Sequence, residues 1–86
     1  MRVEVRLFAV ARQRAGQPTL ALELPEPATV AVLKRALAQA CPALAPLLPS
    51  VRIAVNSEYA AEDEPIPTGA EVAAIPPVSG GSGAGR

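Results

Sequence analysis

The stretch RVEVRLF at residues 2–8 decides the fold of this chain. Charged and apolar residues alternate strictly along it, which is typical of a β-strand with one face in a core and the other exposed. Phe8 falls on the charged face, where its ring would meet solvent. The stretch therefore predicts a sheet that is covered on one side only, with Phe8 on the open side.

Further strands are predicted wherever the same alternation returns, at residues 19–24, 51–55 and 71–75. Residues 9–15 suit one or two helical turns, and the turn residues 16–18 predict that the first two strands pair antiparallel. After a turn at residues 56–58, Tyr59-Ala60 predicts a short returning strand.

One main helix is predicted between the second and third strands. Thr29 is a suitable N-cap, the apolar residues that follow recur at helical spacing, and Pro42 ends the pattern. One helix on one face of a mixed sheet of four to five strands is an α+β fold. If the first and last long strands are parallel neighbours, the topology is a ubiquitin-like β-grasp.

Composition excludes several classes of protein. The 86 residues suit one domain, and equal numbers of basic and acidic residues, 8 and 8, argue against a nucleic-acid binder. Histidine is absent and Cys41 is the single cysteine, which excludes a His/Cys zinc site, a Ser–His–Asp triad and an internal disulfide. We expect no metal, no membrane span and no signal peptide, and therefore a cytoplasmic location. A self-contained enzyme is not expected.

The zero net charge conceals an asymmetry. Residues 1–35 hold six basic and three acidic side chains, whereas residues 36–86 hold two basic and five acidic ones. One interpretation is that solvated faces attract each other across the fold. The other is that the protein carries two docking surfaces of different charge.

An apolar patch is predicted on the open side of the sheet. The alternation places Phe8, Ala54 and Ile75 on that side together, and Tyr59 lies near them along the chain. An exposed apolar patch of this kind indicates a partner site. The alternative is that these apolar residues are exposed singly and have no partner.

The C-terminal residues differ from the rest of the chain. We divide the chain into a domain at residues 1–77 and a flexible, glycine-rich tail at residues 78–86. Pro76 and Pro77 direct the chain away from the sheet, and Gly80 and Gly81 carry no side-chain bulk, so this backbone could enter a narrow channel in another protein. The alternative is an inert terminus or a piece of linker.

Several motifs together resemble the small subunit of molybdopterin synthase, the MoaD family. They are VRLFAVAR at residues 5–12, VNSEY at 55–59, GAEV at 69–72 and PPVSGG at 76–81. The Gly-Gly pair alone is weak evidence, but the combination at these spacings is specific. The resemblance covers residues 3–81 and implies a ubiquitin-like sulfur carrier of the MoaD/ThiS superfamily.

The resemblance also implies a chemical cycle. A partner enzyme of the E1 type adenylylates the carboxylate of Gly81 with ATP, and a sulfur donor protein converts it to a thiocarboxylate. The tail then enters the large synthase subunit, in a heterotetramer, and sulfur passes to a cyclic pyranopterin precursor in molybdenum cofactor biosynthesis. The carrier binds no cofactor permanently and has no catalytic residue of its own. The partner contacts implied are Phe8, Arg12, Tyr59, Ile75, Pro76, Pro77 and Val78, with Gly80 beside the reactive Gly81.

Two features depart from the family pattern. Five residues, 82–86, follow Gly81. Either a processing protease removes them so that Gly81 becomes the terminus, which we favour, or they are an addition to the natural sequence, or the protein does not act as a carrier. The last strand ends in Ala74 and Ile75, where the family often has aromatic residues, which reduces the area available for docking. Two alternatives stay open, namely a carrier for thiazole, amino-acid or tRNA sulfur chemistry and a ubiquitin-like protein modifier.

Overall fold

The computed structural model describes residues 1–77, so the predicted tail at residues 78–86 lies outside the described residues. Five strands and two α-helices form the fold: β1 Arg2–Leu7, α1 Ala9–Ala15, β2 Thr19–Glu23, α2 Val30–Ala40, β3 Arg52–Val55, β4 Glu58–Tyr59 and β5 Val72–Ile75. Two short 3-10 turns, Pro42–Leu44 and Leu48–Ser50, connect α2 to β3. None of the described helices is long and apolar enough to cross a membrane.

The sheet is mixed, with strand order β2-β1-β5-β3-β4. The central strands β1 and β5 run parallel, whereas β2, β3 and β4 pair antiparallel with their neighbours. The predicted β-grasp topology is therefore confirmed. Because β1 and β5 run in the same direction, Phe8 at the end of β1 and Pro76 at the end of β5 lie at the same edge of the sheet.

The core lies between the sheet and α2. Val3, Val5 and Leu7 are buried while Arg2, Glu4 and Arg6 are exposed, as the alternation predicts. The largest fully buried side chains come from both layers and the connector, namely Leu33, Leu37, Leu44, Ile53, Val5, Val30 and Val72. The opposite face of the sheet has no helix over it among residues 1–77.

The N-terminus of α2 is held by its own cap and by a distant loop. The backbone N–H of Val32 donates to the hydroxyl oxygen of Thr29 at 3.3 Å, which confirms the predicted N-cap. The first two N–H groups of the helix, those of Val30 and Ala31, donate to the carbonyl oxygens of Glu64 and Glu62 at 3.0 and 2.9 Å. Lys34 also forms a salt bridge with Glu62 at 2.8 Å. This pair joins the basic and acidic halves of the chain, as the first interpretation of the charge asymmetry predicts.

A two-residue turn connects β3 to β4. Asn56 and Ser57 have φ values of 51° and 71°, a left-handed conformation that suits a tight hairpin and that asparagine tolerates. Because the turn takes only two residues, Glu58 pairs directly with Val55, and the short strand is Glu58–Tyr59 rather than the predicted Tyr59-Ala60. Asn56 also accepts a hydrogen bond from the backbone N–H of Glu71 at 3.0 Å, which fixes the turn to the start of β5.

Candidate functional site

The open face of the sheet carries the two exposed aromatic residues of the chain. Phe8 is 40% exposed and Tyr59 is 54% exposed, which are large fractions for apolar rings. Phe8 follows β1 and Tyr59 ends the edge strand β4. Two strands, β5 and β3, lie between them, and the apolar side chains that they present on this face are buried or half-buried. Exposed aromatic rings on a face that no element of residues 1–77 covers indicate a surface for a partner.

A groove of about 340 Å³ connects these two rings. Its lining includes Ala54, Ala73 and Ile75 from the central strands, with Ser57 and Glu71 at the end nearer the β3–β4 turn. Ala73 lies opposite Ala54 in the register, and Ala54 lies opposite Tyr59. Methyl side chains at both positions leave the space that forms the groove.

The prediction that Ala54 is exposed was wrong, because this residue is only 7% exposed. Alternation places Ala54 on the open side correctly, and it does line the groove. Its short side chain lies at the floor, between Tyr59 and Ala73 in neighbouring strands. Phe8 and Tyr59 are thus the exposed rings of the patch, Ile75 is half-buried, and Ala54 is the base.

Two arginines stack on the exposed rings. The guanidinium carbon of Arg6 lies 5.6 Å from the ring centroid of Phe8, and that of Arg52 lies 4.0 Å from the ring centroid of Tyr59. Both distances are within the range of cation–π attraction. The site prediction did not include either arginine. The signal was present, because both occupy the open face by alternation, but the contact of Arg52 with Tyr59 depends on the strand register.

Arg12 lies apart from this groove. It is exposed on α1 and lines a separate, shallow depression of about 490 Å³ together with Gln13, Gly16 and Gln17. The structure therefore does not place Arg12 with Phe8, Tyr59 and Ile75. Since α1 begins directly after β1, Arg12 nevertheless lies toward the sheet edge at which β5 ends. Its predicted partner contact stays a prediction.

The chain leaves the domain at the edge next to the groove. Pro76 is buried and Pro77, the last described residue, is exposed. Because Pro76 is buried, it can orient the outgoing chain more readily than contact a partner. The remaining predicted site residues, Val78, Gly80 and Gly81, lie outside the described residues.

Among residues 1–77, no group of three or more His, Cys, Asp or Glu side chains is placed to hold a metal ion. Cys41 is half-buried after α2 and packs against the core. The main candidate site in the described residues is the groove between Phe8 and Tyr59, together with the two arginines that stack on these rings.

Several known proteins are similar to this chain in sequence or in fold over most of its length. A protein from Arabidopsis thaliana described as molybdopterin synthase sulfur carrier subunit is 35% identical over 79 residues, covering 92% of this chain and 82% of the plant protein. The crystal structure of SAMP1 from Haloferax volcanii superposes with a TM-score of 0.83 at 33% identity, covering 93% of this chain and 99% of SAMP1.

A third relative is solved together with its partner. It belongs to the protein–protein complex of subunits 1 and 2 of molybdopterin-converting factor from Helicobacter pylori 26695. Its TM-score is 0.65 at 26% identity, covering 93% of this chain and 99% of that chain. The ThiS family model matches residues 5–81. Because that match spans the whole β-grasp domain and nearly the whole chain, the protein belongs to the ThiS family, within the MoaD/ThiS superfamily.

Proposed function

We propose that this protein is the sulfur carrier subunit of a molybdopterin synthase. Gly81 would carry the sulfur as a C-terminal thiocarboxylate and donate it to a cyclic pyranopterin precursor. The relative from Arabidopsis thaliana that is described as such a subunit supports this proposal. So does the subunit 1–subunit 2 complex from Helicobacter pylori, which suggests a large subunit as the partner of this chain.

The observation that carries the proposal is the parallel pairing of β1 with β5. It brings the exposed ring of Phe8 to the same edge at which Pro77 leads toward Gly80 and Gly81. A partner that docks on the groove would therefore have the tail beside it. From Pro77, four residues reach Gly81, and an extended chain of that length spans about 14 Å, which is enough to enter an active site.

The proposed cycle requires no catalytic residue on the carrier itself. A carboxylate is a poor electrophile, so a carboxylate oxygen of Gly81 would first attack the α-phosphate of ATP in an E1-like enzyme, with pyrophosphate leaving. A hydrosulfide ion supplied by a donor protein would then attack the carbonyl carbon, AMP would leave with the oxygen, and loss of the sulfur-bound proton would give the thiocarboxylate. The adenylylating enzyme and the large subunit supply the catalytic groups, and the carrier supplies the docking face and a slender tail.

Residues 82–86 must be removed before this cycle can begin. In the full sequence, the carbonyl group of Gly81 forms the peptide bond to Ser82, so Gly81 has no free carboxylate. The proposal therefore includes a protease that hydrolyses this bond. The glycines around it have no side chains, so they add no steric bulk next to the bond that such an enzyme would hydrolyse.

The test compares the chain ending at Gly81 with the full 86-residue chain. Each is incubated with the E1-like enzyme of the same organism, ATP and a sulfur donor, and intact masses are measured. We expect the Gly81 form to gain the mass difference between sulfur and oxygen, only when ATP is present. The full chain should stay unchanged and is the matched control. Equal modification of both forms, or of neither, would contradict the proposal.

A second function, a ubiquitin-like modifier, is favoured by one observation, the close superposition on SAMP1, a small archaeal modifier protein. A modifier would transfer Gly81 to a lysine of another protein and form an amide bond. Lysine-linked adducts in cell extracts, detected by peptide mass spectrometry, would support this function. A thiocarboxylate without adducts supports a carrier, and the acceptor that takes its sulfur then distinguishes molybdopterin from thiazole, amino-acid or tRNA chemistry.

A further inference from the structure

We infer that the docking face selects a partner whose surface places carboxylates around an apolar projection. Arg6 and Arg52 would pair with the carboxylates, and the groove between Phe8 and Tyr59 would take the apolar projection. This inference rests on the proposed function and deepens it, because it assigns a chemical character to the partner surface. It adds two specificity residues that lie outside the tail.

The first argument is that both guanidinium groups lack an acidic partner in the described structure. Residues 1–77 contain two salt bridges, Arg2 with Glu4 and Lys34 with Glu62. Neither Arg6 nor Arg52 takes part in them, and neither donates a side-chain hydrogen bond within residues 1–77. Two positive charges beside the groove therefore have no acidic partner within residues 1–77.

The second argument is that stacking orients these charges. A guanidinium placed over an aromatic ring keeps its N–H groups in its own plane, where they can form paired hydrogen bonds with a carboxylate. Arg52 lies closest, 4.0 Å from the centroid of Tyr59. Because stacking limits the rotamers of a long side chain, less conformational entropy is lost when a carboxylate binds. The rings thus preorganise both guanidinium groups for pairing with carboxylates of a partner.

The third argument is the position of the two arginines on the face. Arg6 lies opposite Ala73 and Arg52 lies opposite Ile75, so they flank the central strand β5 from both sides. The one acidic residue in the lining, Glu71, lies at the other end of β5, beside the β3–β4 turn. Arg52 therefore lies at the end of β5 from which the chain leaves toward Gly81, whereas Arg6 lies opposite the middle of β5, next to the ring of Phe8.

The floor of the groove defines the apolar part of the partner. Ala54 and Ala73 leave a space of about 340 Å³, and the walls include Phe8, Tyr59 and Ile75. Such a space accepts a leucine, methionine or phenylalanine side chain with loss of its hydrating water. A nucleic acid would match the arginines but not these walls, and the balanced charge of the chain provides no wider basic surface.

The experiment measures association of the Gly81 form with the large synthase subunit of the same organism. Every strand and helix of the structure lies within residues 1–77, so this form keeps the whole domain. The variants Arg6→Glu and Arg52→Glu are compared with Arg35→Glu. Arg35 is an exposed arginine on α2, on the covered side of the sheet, so its reversal changes the net charge equally. Stopped-flow rates are recorded at several salt concentrations, with circular dichroism to check the fold.

We expect wild-type association to slow as salt is raised, and each open-face reversal to slow it roughly tenfold at low salt. Arg35→Glu should stay within about twofold of wild type. Arg52→Lys, which keeps the charge but not the planar donors, should keep the association rate and dissociate faster. These three results together support an acidic partner surface.

Several outcomes would overturn the inference. Rates that do not depend on salt, or equal effects of Arg52→Glu and Arg35→Glu, overturn it and leave the sulfur-carrier proposal intact, because sulfur loading is measured separately. If the wild-type protein self-associates and Arg52→Glu abolishes this self-association, the inference is wrong and the open face binds a second copy of this chain. Absence of any binding to the large subunit overturns both the inference and the proposed function.

Discussion

Arg52 holds its guanidinium carbon 4.0 Å from the ring centroid of Tyr59, across the edge of the sheet. The contact joins β3 to the two-residue strand β4, whose pairing with β3 is otherwise short. It also fixes an aromatic wall of the groove beside a positive charge. The function we propose depends on this face as well as on the tail, since the face must bring Gly81 to the right partner.

Phe8→Ala should weaken binding to the large subunit by about 1–3 kcal/mol, as for an aromatic anchor at the centre of an interface. Because Phe8 is 40% exposed in the free domain, its removal should change the free energy of unfolding much less. Isothermal titration calorimetry measures the binding and thermal unfolding checks the fold. Gln39→Ala, an exposed change on α2, is the control. Unchanged affinity of Phe8→Ala would contradict the assignment.

Ala73→Leu should fill the groove and reduce binding at least tenfold, because the added side chain occupies the space meant for the partner. Ala73 is half-buried on the open face, so the domain can accept the larger side chain there. Ala21→Leu is the matched control, since Ala21 is exposed on the edge strand β2 and does not line the groove. Equal affinity of the two variants would show that the groove is not the docking site.

Leu33→Ala should destabilise the domain by about 2–5 kcal/mol, the usual range for emptying a core position. Leu33 is fully buried between α2 and the sheet. In a domain this small, such a loss is a large part of the total stability. Urea unfolding followed by circular dichroism measures it. Leu47, which is only partly buried, offers a comparison, and a loss at Leu33→Ala no greater than at Leu47→Ala would contradict the core described here.

Gly16→Ala should lower the free energy of unfolding by about 1 kcal/mol, because a left-handed conformation is costly for a residue with a Cβ. Gly16 ends α1 with a φ of 74°, and no atom lies within 4 Å of the Cβ that alanine would add. The loss would thus come from backbone strain and not from a clash. Gly16→Asn should lose less, since asparagine tolerates this region. Equal losses for both variants would contradict this explanation.

Most of the fold was predictable from local patterns. The alternation in β1 predicts which residues enter the core, and Thr29 and Pro42 bound the helix within a residue or two. Parallel pairing of β1 with β5 could only be proposed, since alternation contains no information on which strands are neighbours. The structure shows that β1 and β5 are neighbours and run parallel.

The site was only partly predictable, for two physical reasons. Alternation determines the side of a sheet but not the depth of a side chain, so the burial of Ala54 was missed. The stacking of Arg52 on Tyr59 depends on register, which the two-residue turn at Asn56 and Ser57 determines. Arg6 beside Phe8 could have been identified, because residues two apart on a strand share a face.

The intact mass of the protein isolated from its native cells tests the central claim most directly. We predict a chain that ends at Gly81, with a fraction carrying sulfur in place of one carboxylate oxygen. Iodoacetamide should alkylate the thiocarboxylate at the C-terminus of that fraction. It can also alkylate the free Cys41, but Cys41 lies in a different tryptic peptide, so peptide mass spectrometry separates the two sites. If only the uncut chain with Ser82 to Arg86 is found, Gly81 is never freed, and the proposed sulfur-carrier function is wrong.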